Sequence, residues 1–371
     1  MSTDTHHGSI ISIASPSSFK LFRHQKNPKE YFKLIPRKPT TFKAPSTASY
    51  VGPYEIGQAI GEGAYSTVYV VRRDEKLYAM KVVWKEDVPK NSKMRISPLK
   101  EVQNELKALN LMAKSSNSNL VRLYDTFTSR TKVYFITSLG RGGSLANHIP
   151  ASGLTEDQAR TYIIQLLNAI ATLHEIGIVH RDIKLDNIIL DEHGDIMLTD
   201  MGLCSVATPA TIAKHKLYSR VGSPHYVAPE VIYLVESGYY AAPTDIWSAG
   251  VCFFAMLTGT LPFNSSDTQQ LYTLIKACRY NFPAYCKASI SSKSFLSLML
   301  DADPFSRATI TDLVKHSFIS SHIMDVLGLD CALFRVLEDL DIPDAPVSTM
   351  TSFMDKIIVE HDLAMTSLKT Y

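Results

Sequence analysis

The hydrophobic period of this chain changes once, at a glycine-rich connector, and that change constrains the fold more than any other feature. Upstream, the segments "YEIGQAI", "STVYVVRR", "KLYAMKVVW", "VRLYDTFT" and "KVYFITSL" are short and rich in β-branched and aromatic residues, with one helical stretch over 100–114 between the third and the fourth. Such pieces pair into a sheet carrying one helix. Downstream of "GRGGSL" at 140–145 the period becomes about 3.6: in "DQARTYIIQLLNAIATLHEIG" the apolar Tyr162, Ile163, Leu166, Leu167, Ile170 and Leu173 share one face. Most of the remainder is helical. The expected architecture is α+β and bilobal, a small β-rich lobe over 54–137 joined by a connector at 138–141 to a larger helical lobe over 142–319, with a cleft between them.

Bulk properties exclude several classes. A chain of 371 residues can bury two cores, and its net charge of +2 lacks the concentrated basic field that nucleic acid or a membrane surface demands. The five cysteines, Cys204, Cys252, Cys278, Cys286 and Cys331, are scattered and without CxxC spacing, so neither a disulfide framework nor a zinc site is expected. A reducing setting, cytoplasmic or nuclear, fits that usage. The most apolar window, "AGVCFFAML" at 249–257, is about half of the roughly 20 residues that span a bilayer, and the N-terminus lacks a signal pattern.

The two ends carry opposite charge. Residues 1–50 hold eight basic and two acidic side chains among Ser, Thr and Pro, which predicts a flexible, disordered basic arm, either a solvated tail or a docking or nuclear-targeting segment. Residues 321–371 form an acidic extension with helical pattern at "MDVLGLDCALFRVLEDL" and "TSFMDKIIVEHDLAMTSL". It is expected to fold back on the large lobe, to bind a regulatory partner, or to capture the basic arm, with inhibition of the site from within the chain weighed against simple lobe capping.

Three stretches carry chemistry. In "GEGAYSTVYV" (61–70) Gly61 and Gly63 lie in a hairpin where bare backbone can approach an anion, though plain turn chemistry explains two glycines equally well and Ser66 replaces a third. A dinucleotide fold is excluded because strand, not helix, follows. In "YAMKVV" Lys81 sits among apolar strand residues, so its ammonium needs a carboxylate. Glu105 shares a helix face with Ala108, Leu109 and Met112 and is the expected partner in preference to Glu101. "HRDIKLDNIILDEHGDIMLTDMG" (180–202) reads as loop, strand, turn and strand, which brings Asn187 and Asp200 to one end as oxygen ligands for magnesium, with Asp182 standing apart.

These motifs, with "APE" at 228–230, occur in the order and spacing of the protein kinase family, and over residues 54–319 the chain resembles it. "HRDIK" and "GSPHYVAPE" resemble the Ser/Thr kinases, and the style is most similar to calcium/calmodulin-dependent and checkpoint-like kinases. The resemblance implies ATP-dependent phosphorylation of Ser/Thr hydroxyls on protein substrates, with ATP and Mg2+ as cofactors. Lys81 would hold the α- and β-phosphates, oriented by Glu105, beneath a loop of Ile60, Gly61, Glu62, Gly63, Ala64, Tyr65 and Ser66. Val68 and Ala79 would roof the adenine, Ile189 would lie beneath it, and Thr137 would precede the connector of Ser138, Leu139 and Gly140, whose backbone would bond the base. Asn187 and Asp200 would carry the metal. Asp182 would take the substrate hydroxyl proton while Lys184 neutralises charge on the transferred group.

The stretch from Asp200 to Glu230 is hydroxyl-rich and basic. The resemblance makes Ser219 a candidate regulatory phosphosite paired with Arg181, the alternative being an ordinary loop serine. Ser223 would contact Asp182 and Lys184, while Glu230 with Arg307, and Asp245, would support the scaffold. Departures from the family pattern are Met201 for Phe, Leu185 for Pro, and Ser144 where basic-directed kinases carry Glu, which leaves Asp186 as a nearby carboxylate. Two other functions compete: a binding-only pseudokinase, disfavoured by the complete set of charged residues, and a metabolic phosphotransferase, disfavoured by the peptide-docking segment "GSPHYVAPE".

Overall fold

The computed structural model describes residues 40–63, 66–85, 98–233, 238–328 and 331–338. Ala64 and Tyr65 of the glycine-rich loop lie outside the described residues, as do 1–39 of the basic arm and the final helical pattern beyond 338.

The small lobe is a six-stranded antiparallel sheet. It comprises β1 (Tyr50–Val51), β2 (Tyr54–Glu62), β3 (Ser66–Arg73), β4 (Lys76–Trp84), β5 (Leu123–Thr128) and β6 (Lys132–Thr137), ordered β1-β2-β3-β4-β6-β5. Between β4 and β5 runs the helix α1 (Pro98–Met112). Period-two alternation decides the faces. Tyr78, Met80 and Val82 of β4 join Tyr54, Val71 and Ile136 in a small core on one side, while Val68, Val70, Leu77 and Ala79 line the other. Asp74 and Glu75, both at positive φ (48° and 64°), close the β3–β4 hairpin and fix its register, with Val68 opposite Lys81 and Val70 opposite Ala79. The sheet curls until Tyr54 donates to Asp125 Oδ2 at 2.6 Å across it.

The larger lobe begins with β7 (Gly143–Ser144) and α2 (Glu156–Glu175), whose Thr155 and Gln158 cap each other reciprocally. The single apolar face expected of α2 is too narrow. Ile164, Gln165, Asn168 and Thr172 are buried as well, because α2 runs through the middle of the lobe and its polar groups pair inside: Asn168 donates to Asn119 Oδ1 at 3.0 Å. Short strands follow as β8 (Ile178–Val179), β9 (Ile188–Leu190), β10 (Ile196–Leu198), β11 (Ser205–Val206) and β12 (Lys216–Leu217). The helix α3 (Pro229–Tyr233), the strand β13 (Tyr239–Tyr240) and the helix α4 (Ala242–Thr258) come next. Finally, α5 (Thr268–Lys276), α6 (Ile290–Met299), α7 (Ile310–Lys315), α8 (Ile323–Leu327) and α9 (Ala332–Glu338) complete the described chain. The apolar window at 249–257 is the C-terminal half of α4, where Phe253 packs against Phe295, and just before it Trp247 stacks on Phe263. No described helix is long and apolar enough to cross a membrane.

Both ends are described in part. Residues 40–50, read as flexible arm, lie on the small lobe: Thr40 N–H donates to Arg141 O at 2.8 Å and Ile56 N–H to Ser49 O at 2.8 Å. The long helical pattern after 321 is two short helices, and they belong to the large-lobe core, where Ile323 and Leu333 are buried. Ala332 N–H donates to Asn168 Oδ1 on α2 at 3.0 Å.

Candidate active site

Between the lobes the charged residues separate into an upper and a lower cluster. The upper one is built by β4, α1 and the turn after β10. Lys81 lies opposite Val68 and Phe135 in the sheet, so its side chain leaves an apolar surface and has to find carboxylate. Its Nζ donates to Glu105 Oε1 at 2.7 Å and to Asp200 Oδ1 at 2.7 Å. Burial works against the charge on Lys81, but Asp200 and Glu105 outweigh it and hold its pKa above the ordinary lysine value. The Lys81 ammonium holds the Asp200 carboxyl well below the usual carboxylate range. Burial pushes Glu105 upward against the pull of Lys81.

Asp200 adopts a left-handed backbone (φ 67°) that turns its carboxylate back over the following 3-10 turn, Met201–Leu203. At Gly202 a Cβ would come within 3.3 Å of Asp200 Oδ1, a tight approach, and would meet Lys81 Nζ and Glu105 Oε2 at ordinary contact distances of 3.8 and 3.9 Å. Met201, in place of a ring, is fully buried in the large-lobe core.

The lower cluster stands on a rigid base. Asp245, at 0% exposure in α4, accepts from His180 N–H and Arg181 N–H at 2.9 Å each and pairs with His174 at 3.0 Å. Burial alone would raise the pKa of Asp245; the hydrogen bond and charge of His174 reverse this and lower it. With the loop so anchored, Asp182 Oδ2 accepts from Lys184 Nζ at 2.8 Å and from Asn187 Nδ2 at 3.2 Å, and its Oδ1 accepts from Ser223 N–H and Oγ at 3.0 and 2.9 Å. Lys184 reaches Ser223 Oγ at 3.0 Å. Burial opposes the Lys184 charge too, but Asp182 outweighs it and raises its pKa.

Asp182 and Asn187 are neighbours, where sequence reasoning set Asp182 apart from the metal pair. The physical reason is the tight 3-10 turn Leu185–Asn187, which brings Asn187 Nδ2 onto Asp182 O at 2.8 Å. That leaves the carbonyl end of the Asn187 amide turned the other way. The backbone bond from Thr199 N–H to Asn187 O at 2.9 Å ties Asn187 to the residue before Asp200.

The remaining positions line the cleft. Ala79 and Leu139 are buried in one cluster with Val70, against which Val68 packs. Thr137 ends β6 opposite Ala79. Ser138 N–H is spent on Arg122 O at 2.9 Å, so of that residue only the carbonyl can serve a base. Gly140 lies directly on Ile189, whose Cδ1 a Cβ would approach to 2.6 Å. Gly61 has no such neighbour, the nearest atom to a Cβ there being Val68 Cβ at 3.7 Å. The protein itself does not demand that glycine, and its bare backbone leaves open space beside Val68. Gly63 N–H closes the turn on Ser66 O at 2.7 Å, while Ile60 and Glu62 are exposed at the rim.

The donor set fits a magnesium–nucleotide. One ammonium faces two carboxylates in the upper cluster, a surplus of negative charge that a divalent cation would balance. Among the described residues no group of three or more His, Cys, Asp or Glu could enclose a metal. A cation would therefore be held by Asp200, the Asn187 carbonyl and ligand phosphate oxygens, which suits magnesium.

Two participants were given no role by the sequence: Glu101 entered only as the less favoured partner of Lys81, and Tyr239 was not singled out. Glu101, one turn before Glu105, is pushed up to about 7 by burial and by the Glu105 and Asp200 charges, against the pull of Lys81. Tyr239 of β13 donates to Ser219 O at 2.8 Å, and Arg181 Nη2 reaches the Tyr239 hydroxyl at 3.3 Å.

A sequence model of the protein kinase domain matches residues 54–319, well over half of the chain. The chain is 33% identical over 297 residues to CBL-interacting protein kinase 9 of Oryza sativa subsp. japonica, a match covering 79% of this chain and 61% of that protein. It is 33% identical over 303 residues to CBL-interacting serine/threonine-protein kinase 26 of Arabidopsis thaliana, covering 81% of this chain and 65% of that protein. The chain thus spans less than two thirds of the length of these relatives. It belongs to the protein kinase family, and its architecture is the bilobal fold of that family.

Proposed function

We propose that this chain is an active kinase that transfers phosphate from Mg-ATP to Ser or Thr hydroxyls of protein substrates. One observation carries this: Asp182 is held between Lys184, Asn187 and Ser223, each of its carboxylate oxygens accepting two bonds, and the Lys184 charge also acts on Asp200 of the Lys81 cluster. Magnesium-ATP would supply the phosphoryl group and most of the charge to be neutralised. Lys81, kept in place by Glu105, would grip the phosphates; Asp200 and Asn187 would hold the metal. Asp182 would orient the substrate hydroxyl and accept its proton. Lys184, already bonded to Asp182 and Ser223, would neutralise charge on the transferring group without moving far. Positioning and charge neutralisation are what a loose phosphoryl-transfer transition state rewards.

Ser219 is our candidate regulatory site. Its Oγ accepts from Arg181 Nη2 at 2.6 Å, so a phosphate there would meet a guanidinium already in place. Protein partners follow from the same assignment: substrates at the cleft, and a regulator through the C-terminal segment. The described α8 and α9 lie against α2 rather than the cleft, which favours lobe capping over inhibition for that part. The finer placement, in a calcium/calmodulin-dependent or checkpoint-like subgroup, follows the style of the motifs together with the later segments "DIWSAGVCFFAMLTGTLPF" and "DADPFSRATITDLVKHSFI". The five cysteines, none of them in a disulfide, suit a cytoplasmic or nuclear setting.

The test is phosphorylation of a degenerate Ser/Thr peptide library with Mg-ATP, run beside Asp182→Asn. The wild type should label Ser/Thr peptides, and the variant should lose about 10²-fold to 10⁴-fold in rate while still binding nucleotide. Equal turnover by the two proteins would remove Asp182 from its role.

A further inference from the structure

The segment before β2 lies outside the matched family region and has no place in the site so far described. It runs from the connector to the sheet. Thr40 N–H is bonded to Arg141 O beside the connector, and ten residues later Tyr50 and Val51 pair with β2. Between these anchors Phe42 enters the underside of the small lobe.

The seat for Phe42 is built from β2, β3 and the apolar cluster that Phe42 packs against. Gly57 on β2 leaves the room: a Cβ there would stand 2.7 Å from Phe42 Cε2 and 2.9 Å from Cδ2. Arg72 covers the ring, its Cζ 4.4 Å from the ring centroid, and is itself fixed by Glu55 through bonds of 2.6 and 3.1 Å. Gln58 grips the strap on either side of the ring, accepting from Lys43 N–H at 2.8 Å and donating to Thr41 O. Under it, Phe42 packs on the apolar cluster of Val70, Ala79 and Leu139. These are the roof and connector residues of the cleft, so the strap touches both walls of the space where a base would lie.

We propose that residues 40–51 are a strap that sets the spacing of the adenine pocket, with Phe42 as its positioning residue. The proposal rests on the nucleotide site assigned above. Phe42 holds the β3–β4 roof and Leu139 at a fixed separation through Val70 and Ala79. The Thr40–Arg141 bond and the β1–β2 pairing keep the ring from withdrawing. The catalytic unit accordingly begins near residue 40 and not at the first residue of the matched domain.

The test measures Mg-ADP affinity of the full chain by calorimetry, alongside KM for ATP and kcat. Phe42→Ala should weaken Mg-ADP binding and raise KM about five- to tenfold with kcat within about twofold, and Phe42→Tyr should restore most of it. Gly57→Ala, which evicts the ring without altering Phe42, should reproduce the loss, and Gln58→Ala, a change of exposed hydrogen bonds that leaves the core intact, should show a smaller one if Phe42→Ala fails to fold. Unchanged Mg-ADP affinity in the folded variants, whatever their thermal stability, would overturn the proposal. A wild type that binds Mg-ADP but phosphorylates nothing would end the kinase assignment while leaving the strap to be judged on affinity.

Discussion

Arg307 and Lys81 are both cations held against carboxylate inside the protein, and they are finished differently. Arg307 forms a two-armed pair with Glu230 at 2.6 and 2.8 Å, donates further to Asp301 O and Pro243 O, and lies over Trp247; its side chain is 0% exposed and that of Glu230 9%. One charge meets one charge and every direction is closed. Lys81 meets two carboxylates, and the exposures are 20% for Lys81 and 43% for Asp200. The first pair is complete as folded, whereas the second is left over-supplied with negative charge and open to the cleft. A sealed, balanced pair is scaffold, and an unbalanced, open one is a place for a charged ligand.

Swapping the cations tests that contrast most severely. Lys81→Met should lower phosphate transfer by at least about 10²-fold and cost less stability than the Arg307 change, since Asp200, 43% exposed, can turn to water, and Glu105, though only 6% exposed, is already pushed by burial toward its protonated form. Arg307→Met should cost about 3–5 kcal/mol by leaving Glu230 buried without a counter-charge. Urea denaturation and peptide assays on both variants read the two effects, and matching losses of stability would erase the distinction. A milder probe is Ser219→Ala, which should reduce activity of the phosphorylated enzyme by about tenfold, the scale of one charge-assisted contact, and loosen hydrogen-exchange protection of 205–220. Activity and protection identical to wild type would make Ser219 an ordinary loop residue.

The smallest expected effect concerns the surplus charge itself. Glu101, raised from 4.5 to about 7, binds its proton more tightly folded than unfolded. Its contribution to stability is complete below pH 4.5, declines as pH rises to about 7, and is constant beyond that. Glu101→Gln removes this dependence. The thermal midpoint of the variant should therefore gain on the wild type between pH 4.5 and 7 and run parallel above it. Parallel curves throughout would show that Glu101 does not feel the cluster.

Much of the site was legible because periodicity carries phase. Helical spacing puts Glu105 with Ala108, Leu109 and Met112, and strand alternation puts Lys81 with Ala79, so the pairing of Lys81 with Glu105 inside the small lobe could be anticipated without coordinates. The segment from 205 to 217 was harder. Its strands β11 and β12 are two residues long, too short for a period, and they exist because β8 and β13 arrive from elsewhere in the chain. Phe42 was harder still: it sits among Thr, Lys, Ser and Pro, and the reason for its burial is the missing side chain of Gly57, which in sequence is only a weak strand residue.

What the amino-acid sequence determined by itself is the kind of element each segment forms and the order in which charged groups meet the cleft, because both depend on local spacing along the backbone. What only the tertiary structure decided is which charges end up balanced and sealed and which stay open, and which distant segment fills a gap left by a glycine. Those outcomes depend on desolvation and packing volume, quantities that arise only when residues far apart in the chain share the same space.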